Sequence, residues 1–174
     1  MRAEIQKNLK DLKGAQPGVK QWQQQINENL ATLKKIQDNP EDPKAQKATL
    51  TFSTGNLTLS NTAWRTAQST GALAYMPYEE AERYSSIYQS QFDLLALEDK
   101  PQEDDAAING LLSKFNLGNH KKITKEEANE LAEKAGQMKW HVAVGDGQLK
   151  VCIEQAKAFL KNRPARDNFT EDLK

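Results

Sequence analysis

The sequence predicts an all-α protein: an irregular helical bundle with two long antiparallel helices, at about 3–38 and 124–161, and shorter helices between them. Three observations predict it. Ala128, Leu131, Ala135, Met138, Val142, Gly145, Leu149, Cys152, Ala156 and Phe159 follow one another at alternating spacings of 3 and 4. That is the a/d seam of a heptad repeat, which buries a narrow stripe against other helices. Near the other end of the chain, Ile5, Leu12, Val19, Ile26 and Leu33 recur every seven residues. Finally, 37% hydrophobic residues against 28% charged ones suit elongated helices with one buried face better than a sandwich or a doubly wound sheet.

The first helix, 3–38, carries Leu9, Trp22, Leu30 and Ile36 on the same flank as its heptad stripe, and Gln16, Gln23 and Gln37 dilute that stripe. Pro17 removes a backbone donor and crowds the preceding turn, so a kink or short break is expected near Gln16. The apolar phase runs on from Leu12 to Val19 to Ile26, which favours one kinked helix over two. Asn39-Pro40 and Asp42-Pro43 end it, because the residue before proline avoids the helical region. Residues 39–60 are the least regular. Leu50-Thr51-Phe52 and Leu57-Thr58-Leu59 alternate around Thr54-Gly55-Asn56, a pattern compatible with a small hairpin or with a loop carrying a short helix.

Ser60, Asn61 or Thr62 can cap a helix bearing Ala63, Trp64 and Ala67. Met76-Pro77 opens another, whose Glu79, Glu80 and Glu82 suit the positive end of a helix dipole. It carries Ala81, Tyr84, Ile87, Tyr88, Gln91, Leu94 and Leu95 and is expected to stop near Glu98. Pro101 is expected to open a further short helix with Ala107, Ile108, Leu111, Leu112 and Phe115 on its apolar face, and 116–122 to turn. Thr124 and Glu127 then form a capping box ahead of the long C-terminal helix. Gly145-Asp146-Gly147 weakens that helix by about 2 kcal/mol, and the unbroken heptad phase points to a bend rather than a stop. Asn162-Arg163-Pro164 ends it. One bundle domain, 1–163, is expected, followed by a flexible tail at 164–174.

Composition excludes several functions. Lys plus Arg equals Asp plus Glu at 24 each, so general nucleic-acid binding, which needs unpaired cations for phosphates, is not expected. Cys152 is the only cysteine; on the heptad stripe it reads as a small buried hydrophobe. No run of about 18 apolar residues is present to span a bilayer. His120 and His141, the two histidines, match neither a Glu-x-x-His pair nor HExxH and read as surface or internally satisfied groups. Five carboxylates between Glu98 and Asp105 surround Lys100. They could attract a divalent cation, but they fit a helix N-terminus better and lack EF-hand spacing. Two glycosylation sequons, Asn56-Leu57-Thr58 and Asn168-Phe169-Thr170, carry little weight without a secretory context. No catalytic constellation, cofactor motif or metal-ligand set is recognised.

The remaining cluster is aromatic. Trp64, Tyr75, Tyr78, Tyr84 and Tyr88 fall within 25 residues, with Met76 and Pro77 among them. Aromatics with polar tips line ligand pockets and interfaces, and they also fill wide gaps where short helices meet long ones.

Several stretches in this region, Ala63-Trp64-Arg65-Thr66-Ala67, Thr70-Gly71-Ala72-Leu73, Met76-Pro77-Tyr78 and Tyr84-Ser85-Ser86-Ile87-Tyr88-Gln89, together with Glu4-Ile5 and Asn8-Leu9, resemble a pattern in uncharacterised bacterial proteins. Those have one N-terminal transmembrane helix followed by a helical extracytoplasmic domain. The resemblance covers roughly 3–95 and implies a membrane anchor ahead of this chain, with the domain on the periplasmic side; it brings no activity and no catalytic residues. Pro17-Gly18 departs from the continuous first helix that the pattern would have. The helical pattern is already running at Ala3, as expected of a domain that follows an anchor. The function expected is therefore non-enzymatic: a membrane-tethered interaction or sensor domain, soluble as given, that meets a protein partner or a second copy through helix packing. The alternative is a small-molecule-binding bundle whose pocket is lined by Trp64, Tyr75, Tyr78, Tyr84 and Tyr88.

Overall fold

The computed structural model describes residues 1–115 and 122–162. The expected tail at 164–174, nearly all of the turn at 116–122, His120 and the second sequon lie outside them. The described chain is all-helical, with α1 (Arg2–Asp38), α2 (Pro43–Gln46), α3 (Thr62–Ser69), a 3-10 turn (Ala72–Tyr75), α4 (Tyr78–Lys114) and α5 (Lys125–Leu160). The two long helices α1 and α5 pack against each other and against α4.

The chain groups into two compact units. One comprises Met1–Gln16, Leu57–Ala96 and residues 147–162; the other comprises Pro17–Asn56 and the described part of Leu97–Asp146. The divisions within the long helices coincide with weak points in their backbones. The α1 division directly precedes Pro17, the α5 division falls between Gly145 and Gly147, and the α4 division precedes Leu97, whose carbonyl Pro101 cannot serve.

In the first unit, α1 begins where α5 ends: the Arg2 guanidinium donates to the Leu160 carbonyl at 2.6 Å. Its core joins Ile5, Trp64, Tyr84, Ile87, Tyr88, Ala156 and Phe159. In the second unit the chain just beyond α1 meets the chain just before α5. Gln46 donates to the Ile123 carbonyl at 2.8 Å and accepts from the Ile123 amide at 2.9 Å. The buried side chains here are mostly aliphatic: Val19, Ile26, Leu33, Ile36, Ile108, Leu131, Met138 and Val142. The capping box that opens α5 is formed: Glu127 N donates to Thr124 Oγ1 at 3.2 Å, and Thr124 N donates to Glu127 Oε2 at 2.9 Å. Every apolar position of the α5 seam is buried.

Two expectations are corrected. The stop near Glu98 and the new helix at Pro101 are absent: α4 runs unbroken from Tyr78 to Lys114 with Pro101 inside it. Leu94, Pro101, Ile108 and Phe115 recur every seven residues and are all buried. The proline ring lies on the helix's buried face, and packing along that face outweighs the one lost backbone bond. The Glu98–Asp105 carboxylates therefore do not mark a helix N-terminus. The second correction concerns the hairpin: the described residues contain no strand, and after the short α2 the segment 49–61 is irregular. At Ser60 and Thr51 its backbone groups pair with side chains of α1. Asn8 Nδ2 donates to Ser60 O at 2.7 Å while Ser60 N donates to Asn8 Oδ1 at 3.0 Å. Asn29 does the same to Thr51, at 2.5 and 3.4 Å. Each buried asparagine thus imitates one rung of a β-ladder. At Pro17, where a kink or short break is expected and one helix is favoured over two, the chain is a single helix from Arg2 to Asp38 with the proline on its exposed side.

Candidate functional site

Of the five aromatic residues picked out in the sequence, the fold brings three together and leaves two outside. Trp64, from α3, stacks on Tyr88 of α4 with ring centroids 5.2 Å apart and an interplanar angle of 15°. Tyr84, one helical turn earlier on α4, tilts against Phe159 of α5 at 4.8 Å. All three are buried. A small molecule held among them would have to displace the Trp64–Tyr88 stack. Arg2 and Arg83 lie over the Phe159 ring, at 5.4 and 5.5 Å from its centroid, which closes this end of the cluster with cation–π contacts.

The polar side of the cluster centres on Glu4, which is not among the candidate site residues of the sequence. Its carboxylate accepts from Tyr88 Oη at 2.7 Å, from Ser60 Oγ at 2.7 Å and from the Ala63 amide at 3.1 Å. Ala63 lies in the first turn of α3, whose N-cap residue Asn61 makes no side-chain cap bond. Glu4 therefore caps α3 from another helix, and its charge suits that end of the dipole. Burial works against ionising Glu4, but the bonds from Ser60, Tyr88 and Ala63 outweigh it and hold the carboxyl below its ordinary value. The Tyr88 hydroxyl is driven far up by burial and then by its bond to Glu4. Burial, then the Glu80 charge, also raises Tyr84. Beside this set, the buried Asn8 donates to Gln91 Oε1 at 2.8 Å. The available sequence signal was polar residues on a heptad stripe: Asn8 and Asn29 occupy the d positions of the α1 seam, three heptads apart.

Tyr75 and Tyr78 are 92% and 79% exposed. Tyr75 ends, and Tyr78 closely follows, a short turn that begins after Gly71, whose φ of +71° is left-handed. Leu73 and Met76 fasten this turn to the buried cluster, against which Met1 also packs. Ala72, Ala74, Tyr75, Pro77 and Tyr78 face outward.

In the second unit, His141 Nδ1 lies 2.5 Å from Asp104 Oδ2, and both side chains are largely buried. His141 is thus an internally satisfied histidine, and its ring meets that of Trp140 edge-on with centroids 5.1 Å apart. Among the described residues, no three His, Cys, Asp or Glu side chains are grouped to hold a metal ion. Cys152 is buried, donates to the Ser90 carbonyl at 3.2 Å, and has its thiol pushed up to about 12 by burial and the Asp93 charge. A thiol so far from ionising is a poor nucleophile. No helix among the described residues is long and apolar enough to cross a membrane.

Comparison with models of protein families, with curated proteins and with solved structures found no match.

Proposed function

We propose that this chain is a non-enzymatic helical interaction domain, tethered to a membrane by an anchor ahead of it and held on the periplasmic side. The observation that carries the interaction reading is a division of labour among side chains. The groups best suited to chemistry make internal bonds: Glu4 caps α3, Asp104 pairs with His141, and Cys152 meets a backbone carbonyl. The most exposed large apolar side chains of the first unit, Tyr75 and Tyr78, stand instead on a turn whose half-buried neighbours Leu73 and Met76 pack against the core cluster. Exposed aromatics on a rigid base are the usual makings of a contact surface. The tether is supported by the resemblance of residues 3–95 to anchored bacterial proteins.

Fractionation of cells expressing the native gene product tests the tether. The product should sediment with membranes, resist extraction with alkaline carbonate, and be cleaved by protease added to spheroplasts. Recovery in the soluble cytosol would end the tethered reading.

A further inference from the structure

On the interaction reading above, on which this rests, we infer that the surface bearing Tyr75, Tyr78, Glu79 and Glu82 docks a second copy of this chain, through the lysine face at the start of that copy's α1. Lys7, Lys10 and Lys13 are exposed and stand three residues apart, so they line one side of the helix. Glu79 and Glu82 are exposed at the same step on α4, and Tyr78, four residues before Glu82, shares their face. A step of three residues rises about 4.5 Å along a helix, so the two rows of charge match in spacing. Among the described residues, none of these five charged side chains has a hydrogen-bond or ion-pair partner. Both rows belong to the first unit, and neither is neutralised inside it.

The division of charge selects a second copy as the partner. The whole chain balances 24 cations with 24 carboxylates. Yet Arg2–Gln16 holds four cations and two carboxylates, one of which, Glu4, is bound internally, whereas Tyr78–Ala96 holds four carboxylates and one cation. Each copy thus presents a basic row and an acidic one, and two copies satisfy both. A partner of one sign would cover one row and leave the other bare. The exposed rings of Tyr75 and Tyr78 add faces for lysine ammonium groups and apolar area for their methylene stems.

Sedimentation velocity of the full chain over a concentration series tests the contact. Self-association should weaken about tenfold between about 0.05 M and 0.5 M salt, as the screening length shrinks. One variant carries Lys7→Glu, Lys10→Glu and Lys13→Glu; a second carries Glu79→Lys and Glu82→Lys. Each should keep the parent's helical content, since all five positions are exposed, and each should stay monomeric. Mixed together they should pair again, because every contact then joins opposite charges. A parent that is monomeric at every concentration, association indifferent to salt, a reversed variant that associates like the parent, or a mixture that stays monomeric would each overturn the inference. A photo-crosslinking benzoylphenylalanine in place of Tyr78, in cells producing the native gene product, separates this inference from the interaction reading. A product of twice the mass, joined at residues 7–13, supports a second copy. A product with another protein overturns the second copy and leaves the interaction reading standing. No crosslinked product overturns both.

Discussion

The two units fix the irregular segment 49–61 with the same device but build their interiors from different chemistry. In each, a buried asparagine on α1 holds both backbone groups of one residue: Asn8 holds Ser60, and Asn29 holds Thr51. Around Asn8 the interior is aromatic, and Tyr88, Ser60 and the Ala63 amide converge on one partly buried carboxylate that accepts three hydrogen bonds. Around Asn29 it is largely aliphatic, and it holds a single largely buried side-chain pair, Asp104 with His141. A network with several donors loses little when one is removed. A lone buried pair loses nearly everything, because the survivor has no other partner.

The largest expected effect comes from breaking that pair. His141→Leu leaves the Asp104 carboxyl, 5% exposed, without its partner and should cost about 3 kcal/mol. The double change Asp104→Leu with His141→Leu should recover most of that loss, since two apolar side chains need no partner. Chemical denaturation of the three proteins measures both quantities. A double variant no more stable than the single one would mean that the pair contributes through packing rather than polar satisfaction.

Next come the asparagines, which compare like with like across the two units. Asn8→Ala and Asn29→Ala each strip two backbone groups of their partners, and each should cost about 1–3 kcal/mol. Asn8 also donates to Gln91, so its replacement should be the more costly. Hydrogen exchange should rise at the Ser60 amide in the first variant and at the Thr51 amide in the second. Equal exchange at both amides in either variant would remove the local account of the device.

Gly55→Ala probes the same segment at another point of its contact with α1. A Cβ there would sit 2.7 Å from Trp22 Cη2, so either the ring or the segment must shift, at a cost of about 1–3 kcal/mol. Pairing the change with Trp22→Leu should relieve it. A Gly55→Ala protein as stable as the parent would show that the segment moves freely off α1 at this point.

These contacts also show which features are legible in a sequence and which are not. The α5 seam and its capping box were, because both are periodic or local: ten positions in phase and a Thr–Glu pair at the required spacing. The run of α4 through Pro101 was not, since a proline is a local stop signal and only its place on the buried face reverses that meaning. Asn8 and Asn29 were missed because a polar residue on a stripe looks like dilution until the partner segment is seen. Among the aromatics, register decides: Tyr84 and Tyr88 fall on the buried face of α4, whereas Tyr75 and Tyr78 precede the point at which that face meets its neighbours. Ala63 and Glu4 are 59 residues apart in sequence, and no periodicity links a helix cap to a side chain that distant.

The smallest effect expected tests the network directly. Tyr88→Phe removes one of three donors to Glu4 and should cost only about 1 kcal/mol. The pH profile then separates the network from the stack. Glu4 has a folded pKa below its unfolded value, so its contribution is present above about pH 4.5 and is lost as pH falls through the folded pKa. In the parent protein, stability should therefore fall on acidification. In Glu4→Gln that component is absent, so the acid limb should be shallower and the neutral-pH stability lower. Tyr88→Phe should lie between the two, because Ser60 and the Ala63 amide still favour the ionised carboxylate. An acid limb in Glu4→Gln as steep as in the parent would assign the acid sensitivity to other carboxyls and reduce Glu4 to a neutral hydrogen-bond acceptor at the start of α3.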